Sequence, residues 1–273
     1  MNRFTPPWGF APIILLVVIC IAGRCGPLFA DEALDRFEGV WKPSRISRDD
    51  PLWLIEDLAC SGCTLQGYRH LQDLLADPEN NDRSIGELVN DVRAFEADLI
   101  DASLTPAARE ALAAFDPTDD PTIDCTPDGD GLQHQINAPL PFEIKRVQGG
   151  LELRYEYWNA VRRVSLDAPP SLGASPSRLG TSTARMRGDT LVIETTRLVP
   201  NKIGLPGGSI PLSPEARIVE EYSLSENGQR LDLVLTTHDP VNFTEPLVDQ
   251  RSVLRAEGWT LNEFVCEATT GEF

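Results

Sequence analysis

From Phe142 to Cys266 the chain reads as one short apolar-alternating segment after another, each ended by turn residues. That pattern restricts this half of the molecule to an antiparallel β architecture. The expected strands are Phe142 to Val147, Leu151 to Trp158, Val161 to Leu166, Ala184 to Arg187, Thr190 to Arg197, Arg217 to Leu224, Leu231 to His238, Arg251 to Ala256 and Thr260 to Cys266. Gly149-Gly150, Gly188-Asp189, Asn227-Gly228 and Glu257-Gly258 suit tight hairpins, because their residues tolerate positive φ. Many short strands joined this way form a barrel or a curled, sandwich-like sheet. Two loops rich in Pro, Gly and Ser, 167–183 and 198–214, are expected at one rim.

The N-terminal part is different. Residues 1–30 carry Arg3, an apolar run from Phe10 to Ile21, and Leu28-Phe29-Ala30 ahead of Asp31-Glu32. This is the layout of a signal peptide cleaved after Ala30. Ile19 and Arg24 precede Cys20 and Cys25, which does not fit a lipoprotein anchor. A membrane anchor needs roughly 20 apolar residues, and Pro12 and Arg24 leave the run shorter than that. The expectation is a periplasmic or secreted chain with no membrane span after cleavage. Removing Arg3 and Arg24 and no acid takes the formal charge from -18 to -20, a surface that repels nucleic acid.

Residues 31–50 hold a first strand segment around Phe37-Glu-Gly-Val-Trp41, and 51–116 form a helical insertion or cap. There Ile85, Leu88, Val89, Val92, Phe95 and Leu99 make one apolar stripe, and Ser84 with Glu87 spells a capping box. Residues 117–140, rich in Pro, Asp and Gly, read as a linker, and 141–273 as the antiparallel β domain. Four cysteines follow residue 30: Cys60, Cys63, Cys125 and Cys266. In an oxidising compartment they predict disulfides. Cys125 with Cys266 would clamp the entry of the β region to its end, leaving Cys60-Ser-Gly-Cys63 to close on itself.

Pro141-Phe-Glu-Ile144, Tyr155-Glu-Tyr-Trp-Asn-Ala-Val-Arg-Arg163, Arg185-Met-Arg-Gly-Asp-Thr-Leu-Val-Ile193, the strand with Glu220, Asp239-Pro240 and Glu263-Phe-Val-Cys-Glu267 together resemble a large family of uncharacterised, secreted, β-rich bacterial proteins. The resemblance covers about residues 120–270 and implies a fold without an activity. Histidines of the family pattern are replaced here, in Asp167-Ala-Pro169 and Gly180-Thr-Ser182, and Met186 stands for its hairpin Trp. The Gly39-Val-Trp41 opening is similar to that of calycin (lipocalin-like) barrels, which implies a Trp plugging one barrel end. The combined expectation is a mainly β fold with an α-helical insertion, an antiparallel calycin-like barrel or curled sheet.

Chemistry is sparsely marked. Cys60-x-x-Cys63 has redox spacing, but no βαβ pattern flanks it. His70, His134, His238 and the cysteines lack zinc spacing, and no Gly-x-Ser-x-Gly elbow is present. No metal or cofactor is expected. Strand parity sets Glu194 on the Val192 face and Glu220 on the face of Ile218, Tyr222 and Leu224. Charges on apolar faces need partners or water, and Arg162 and Arg185 are candidates to pair with Glu156, Glu194 or Glu220. The leading expectation is a non-enzymatic binder holding a small amphipathic ligand against Trp41, Tyr155, Tyr157 and Trp158, with Arg162 and Arg185 as polar anchors. Two alternatives stay open: acid-base catalysis on a small hydrophobic metabolite by Glu156, Glu194, Glu220 or His238, and a structural component docking an envelope partner through the helical block.

Overall fold

A ring of strands can be antiparallel at every seam only if the strand count is even, and this chain closes nine. The computed structural model describes residues 33–43, 63–120, 122–126, 131–166, 175–198, 201–206 and 208–268. In chain order the elements are β1 (Gly39–Pro43), α1 (Leu65–Ala76), α2 (Ile85–Ser103), α3 (Pro106–Ala113), α4 (Leu132–Asn137), β2 (Phe142–Val147), β3 (Gly150–Tyr155), β4 (Val161–Leu166), β5 (Thr181–Arg187), β6 (Thr190–Thr196), β7 (Lys202–Leu205), β8 (Gly208–Pro211), β9 (Arg217–Ser225), β10 (Arg230–His238) and β11 (Leu247–Arg255). Around the barrel the order is β1-β11-β10-β9-β6-β5-β4-β3-β2, closed by β1 on β2. The expected antiparallel pairing holds at every seam but one. β4 and β5 run parallel, Val164 beside Ser182 and Leu166 beside Ala184, so the end of β4 and the start of β5 lie at opposite rims.

The two rims differ. At one rim sit the tight β2–β3, β5–β6 and β9–β10 turns, with Gly149 at φ 78° and Gly188 at φ 62°, conformations that favour glycine. This end is closed by Trp41, fully buried, whose Nε1 donates to Phe37 O at 3.0 Å. The Arg255 guanidinium lies 4.3 Å from the Trp41 ring centre and donates to the carbonyls of Arg36, Glu38 and Gly228. A cation on the ring face and three satisfied carbonyls make this a firm plug.

The opposite rim carries the long connections and a lid. Leu104 and Ala108 from the α2–α3 corner, Leu132 and Ile136 from α4, Ile203 and Ile210 from the β7–β8 hairpin, and Phe243 join the barrel core. Ser103 O accepts from Thr244 N and Asn242 O accepts from Thr105 N, which fastens the corner to the β10–β11 loop. On its other side the helical block buries Cys63, Leu71, Val89 and Val92 in a small core of its own. The Ser84/Glu87 capping box forms as expected. The helical block therefore packs as a cap on the barrel.

Several local expectations change. Strand β3 stops at Tyr155, because Trp158 and Asn159 adopt φ of 61° and 50° and turn the chain. Segment 198–214 contains β7–β8, and the region read as linker contains α4. Residues 260–266 alternate like a strand but join no sheet; side chains of the β3–β4 turn take their backbone groups instead. Residues 1–30 and Cys60 lie outside the described residues. Among those described, no helix is long and apolar enough to cross a membrane.

Cys125 and Cys266 form a disulfide, Cα atoms 5.8 Å apart, spanning 141 residues of sequence. Cys63 is also disulfide-bonded. The Cys125–Cys266 loop encloses ten strands, so removing it frees a long unfolded segment. Replacing both cysteines by serine is expected to cost about 2–4 kcal/mol, read as a lower urea midpoint, with a steeper slope as the freed unfolded chain exposes more surface. A midpoint equal to the parent's would show that the bond constrains nothing in the unfolded chain.

Candidate functional site

The inner wall is set by strand parity. Tyr155 on β3, Arg162 on β4, and Ile218, Glu220 and Tyr222 on β9 all point inward among leucines from β3, β6 and β10. Glu220 is fully buried and Arg162 is 3% exposed. Arg162 Nη1 donates to Glu220 Oε1 at 2.7 Å and Nη2 to Oε2 at 2.8 Å, a two-pronged pair. Tyr222 Oη donates to Glu220 Oε2 at 2.7 Å. The Arg162 guanidinium also sits 5.9 Å from the Tyr155 ring centre.

Burial alone would favour a neutral Arg162, but the Glu220 carboxylate outweighs it and holds the guanidinium firmly charged. Burial raises both tyrosine hydroxyls, with Glu220 adding to each, so Tyr155 and Tyr222 stay protonated. Three inward polar atoms, Tyr155 Oη, Arg162 Nε and Thr237 Oγ1, are buried without a hydrogen-bond partner. Such atoms inside a packed barrel call for an explanation, because an unmade buried hydrogen bond is costly. Nearer the capped rim Ser182 and Thr195 bond each other at 2.8 Å.

On the same wall, Asp249 lies opposite Leu235 on β10 and beside Thr64, which extends the free part of the β11 edge. Its carboxyl is pushed up to about 8, by burial first and then by the neighbouring Glu96. Glu96 itself accepts from Thr64 N at 3.2 Å and Thr64 Oγ1 at 2.6 Å. Gly67 makes room for it, since a Cβ there would stand 1.6 Å from Glu96 Oε1. Further along β11, Arg251 bonds the Ile136 carbonyl of α4.

Of the residues singled out from sequence, the barrel brings Tyr155, Arg162 and Glu220 together and adds Tyr222. Tyr222 shares parity with Glu220, which was the available signal; Asp249 fell outside the expected strand starting at Arg251. Trp41 lies at the closed end. Tyr157 and Trp158 stand at the β3–β4 turn with Phe264, ring centres 5.1 and 5.2 Å from it. Glu156 accepts from Asn262 N at 2.9 Å. Glu194 pairs with Arg217 at 3.5 Å on the outer face, and Arg185 is exposed on that face without an ion pair among the described residues. His238, also on the outer face, is held below its ordinary pKa by burial first and then by Arg217. Glu156, Glu194, Glu220 and His238 thus do not converge on one point. Among the described residues no three His, Cys, Asp or Glu side chains gather as a metal site.

No family model, curated protein or solved structure matches the chain.

Proposed function

We propose that this is an exported, non-enzymatic binding protein that holds one small amphipathic molecule inside the capped end of its barrel, as the resemblance to secreted β-rich proteins also suggests. The observation that carries the reading is the pair of buried, unpartnered donors, Tyr155 Oη and Arg162 Nε, on the inner wall beside the Arg162–Glu220 pair. A carbonyl, carboxylate or hydroxyl oxygen on a ligand would satisfy both. Apolar walls with a few convergent polar anchors are the usual make-up of a small-molecule site. The Arg162 charge is already neutralised by Glu220, so a neutral polar head group fits better than a second anion. Leu153, Ile193, Leu235 and Phe142 supply the apolar lining. The α2–α3 corner, α4 and the β7–β8 hairpin form the cover such a ligand must pass.

The acid-base alternative has less support, since Glu220 is locked to Arg162, Glu194 and His238 flank Arg217 on the outer face and Glu156 holds Asn262 at the β3–β4 turn. Native mass spectrometry of the protein exported by its own host tests the proposal. The expected spectrum shows one small molecule per chain, released on denaturation. A chain that carries nothing and takes up no mass from a lipid or metabolite extract of that host would overturn the reading.

A further inference from the structure

The C-terminal segment after β11 is held outside the barrel in the manner of a bound peptide. Asn159 grips the backbone of Phe264 from both sides: its Nδ2 donates to Phe264 O at 2.7 Å, and its Oδ1 accepts from Phe264 N at 2.9 Å. This is the bonding pattern of a neighbouring strand, supplied by one side-chain amide. Glu156 takes the next free donors, Asn262 N at 2.9 Å and Asn262 Nδ2 at 3.3 Å. The Phe264 ring enters an aromatic nest made by Tyr157 and Trp158, with the His134 ring of α4 tilted against Tyr157 at 5.0 Å.

Two features separate this from ordinary packing. Trp158 and Asn159 both hold positive φ, at 61° and 50°, and neither is glycine. Such strain persists where the surroundings enforce it and often marks a functional position; here it aims the Asn159 amide outward. Second, the segment underfills its seat. A cavity of about 240 Å³ remains between Leu261, Asn262 and Glu263 on one side and Arg154, Asn159 and Val161 on the other. Asn262, Glu263 and Val265 are exposed, so few side chains hold the strap down. Its firm anchor is the Cys125–Cys266 disulfide.

We propose that the β3–β4 turn is a binding site for an extended peptide strand bearing an aromatic side chain, filled in this structure by residues 261–266 of the chain itself and locked by Cys125–Cys266. Recognition through main-chain groups accepts many sequences, as in strand addition to a sheet edge, while the nest selects an aromatic and the cavity favours a side chain larger than those of the strap two or three residues before it. The site lies on the rim; its cavity also touches Tyr155 and Ala160, but the groups that grip the strap, Glu156, Asn159, Tyr157 and Trp158, are not part of the interior Arg162–Glu220 pair. Opening is a two-electron step. A dithiol reductant breaks the Cys125–Cys266 bond, each sulfur ends as a thiol, and the reductant closes to its own disulfide.

The probe is a fluorescent heptapeptide, Thr-Leu-Asn-Glu-Phe-Val-Ser, which copies residues 260–266 with serine in place of the cysteine. A strap tethered in cis competes at high effective concentration, so the acceptor is the full chain with Phe264→Ala and Cys266→Ser. This acceptor is expected to bind the peptide saturably, the oxidised parent to ignore it, and Asn159→Gly in the acceptor to weaken binding by at least about tenfold at an unchanged melting temperature. Glycine tolerates the positive φ, so this change removes the amide without adding strain. Equal affinity after Asn159→Gly, equal affinity for a peptide with Ala in place of Phe, or a dimer formed in place of peptide capture would overturn the proposal. Hydrogen exchange at the Phe264 amide of the unaltered chain provides a check that needs no variant. Protection is expected in the oxidised protein and loss of it on reduction, and protection that survives reduction also overturns the proposal.

Discussion

Arg162→Met is expected to lower the unfolding free energy by about 3–5 kcal/mol, because it leaves the fully buried Glu220 carboxylate without its cation. The loss is not the worth of the pair. Much of it is the desolvation of a charge that Arg162 had compensated. Removing both charges should therefore be far milder: Arg162→Met with Glu220→Leu is expected within about 1 kcal/mol of the parent or above it, since an apolar pair fits the surrounding leucines. Urea unfolding of the two single variants and the double closes the cycle. A single variant within about 1 kcal/mol of the parent would mean the pair is reached by water. The double variant also serves the binding proposal. It retains the fold while lacking the polar anchor, so a ligand carried by the parent should be lost from it, whereas a ligand still carried would sit elsewhere.

Much of the barrel was legible because period-two alternation survives wherever one strand face is buried. β2, β4, β6, β9 and β10 fall within a residue or so of their expected bounds. That Glu220 needs a cation was legible for the same reason, since parity put it among apolar residues, but sequence left the choice between Arg162 and Arg185 open and only the barrel closure brings Arg162 to it. What failed was information that is not periodic. The parallel β4–β5 seam follows from closing an odd number of strands, which no local window can count. Residues 260–266 have the composition of a strand, yet Glu156 and Asn159 side chains take the backbone bonds that a neighbouring strand would have made. The short helix α4 was hidden by the Pro, Asp and Gly around it, and it is ordered by Leu132 and Ile136 reaching the barrel core rather than by propensity. Trp158 and Asn159 were unreadable because no glycine marks the positive φ that both adopt, inside a turn closed by its own bonds from Asn159 N to Glu156 O and from Ala160 N to Tyr157 O.

Asp249 is expected to make the protein less stable as the pH rises through the neutral range. Its carboxyl has a pKa of about 8 in the folded chain against an ordinary 3.8, so between those values the folded state holds a proton that the unfolded state has released. Stability then falls with rising pH from about 4 to about 8 and levels off above, where both states are ionised. At about 1.4 kcal/mol per unit the full span is on the order of 5 kcal/mol, an upper bound because the structure can relax around the charge. Loss of self-repulsion in so acidic a chain also favours the folded state at low pH. Asp249→Asn separates the two: parent and variant should agree near about pH 4, and the variant should gain by several kcal/mol at about pH 9, where its amide stays neutral. Parallel curves would assign the whole slope to general charge. The charge that Asp249 acquires faces Glu96, which is bonded to Thr64, and Thr64 in turn pairs with β11 at Asp249. The first place to yield is therefore this seam between the helical cap and the barrel. It is reported by the Gln250 amide, which donates to Cys63 O at 3.3 Å and should exchange hydrogen faster, relative to its intrinsic rate, above about pH 8 in the parent than in Asp249→Asn.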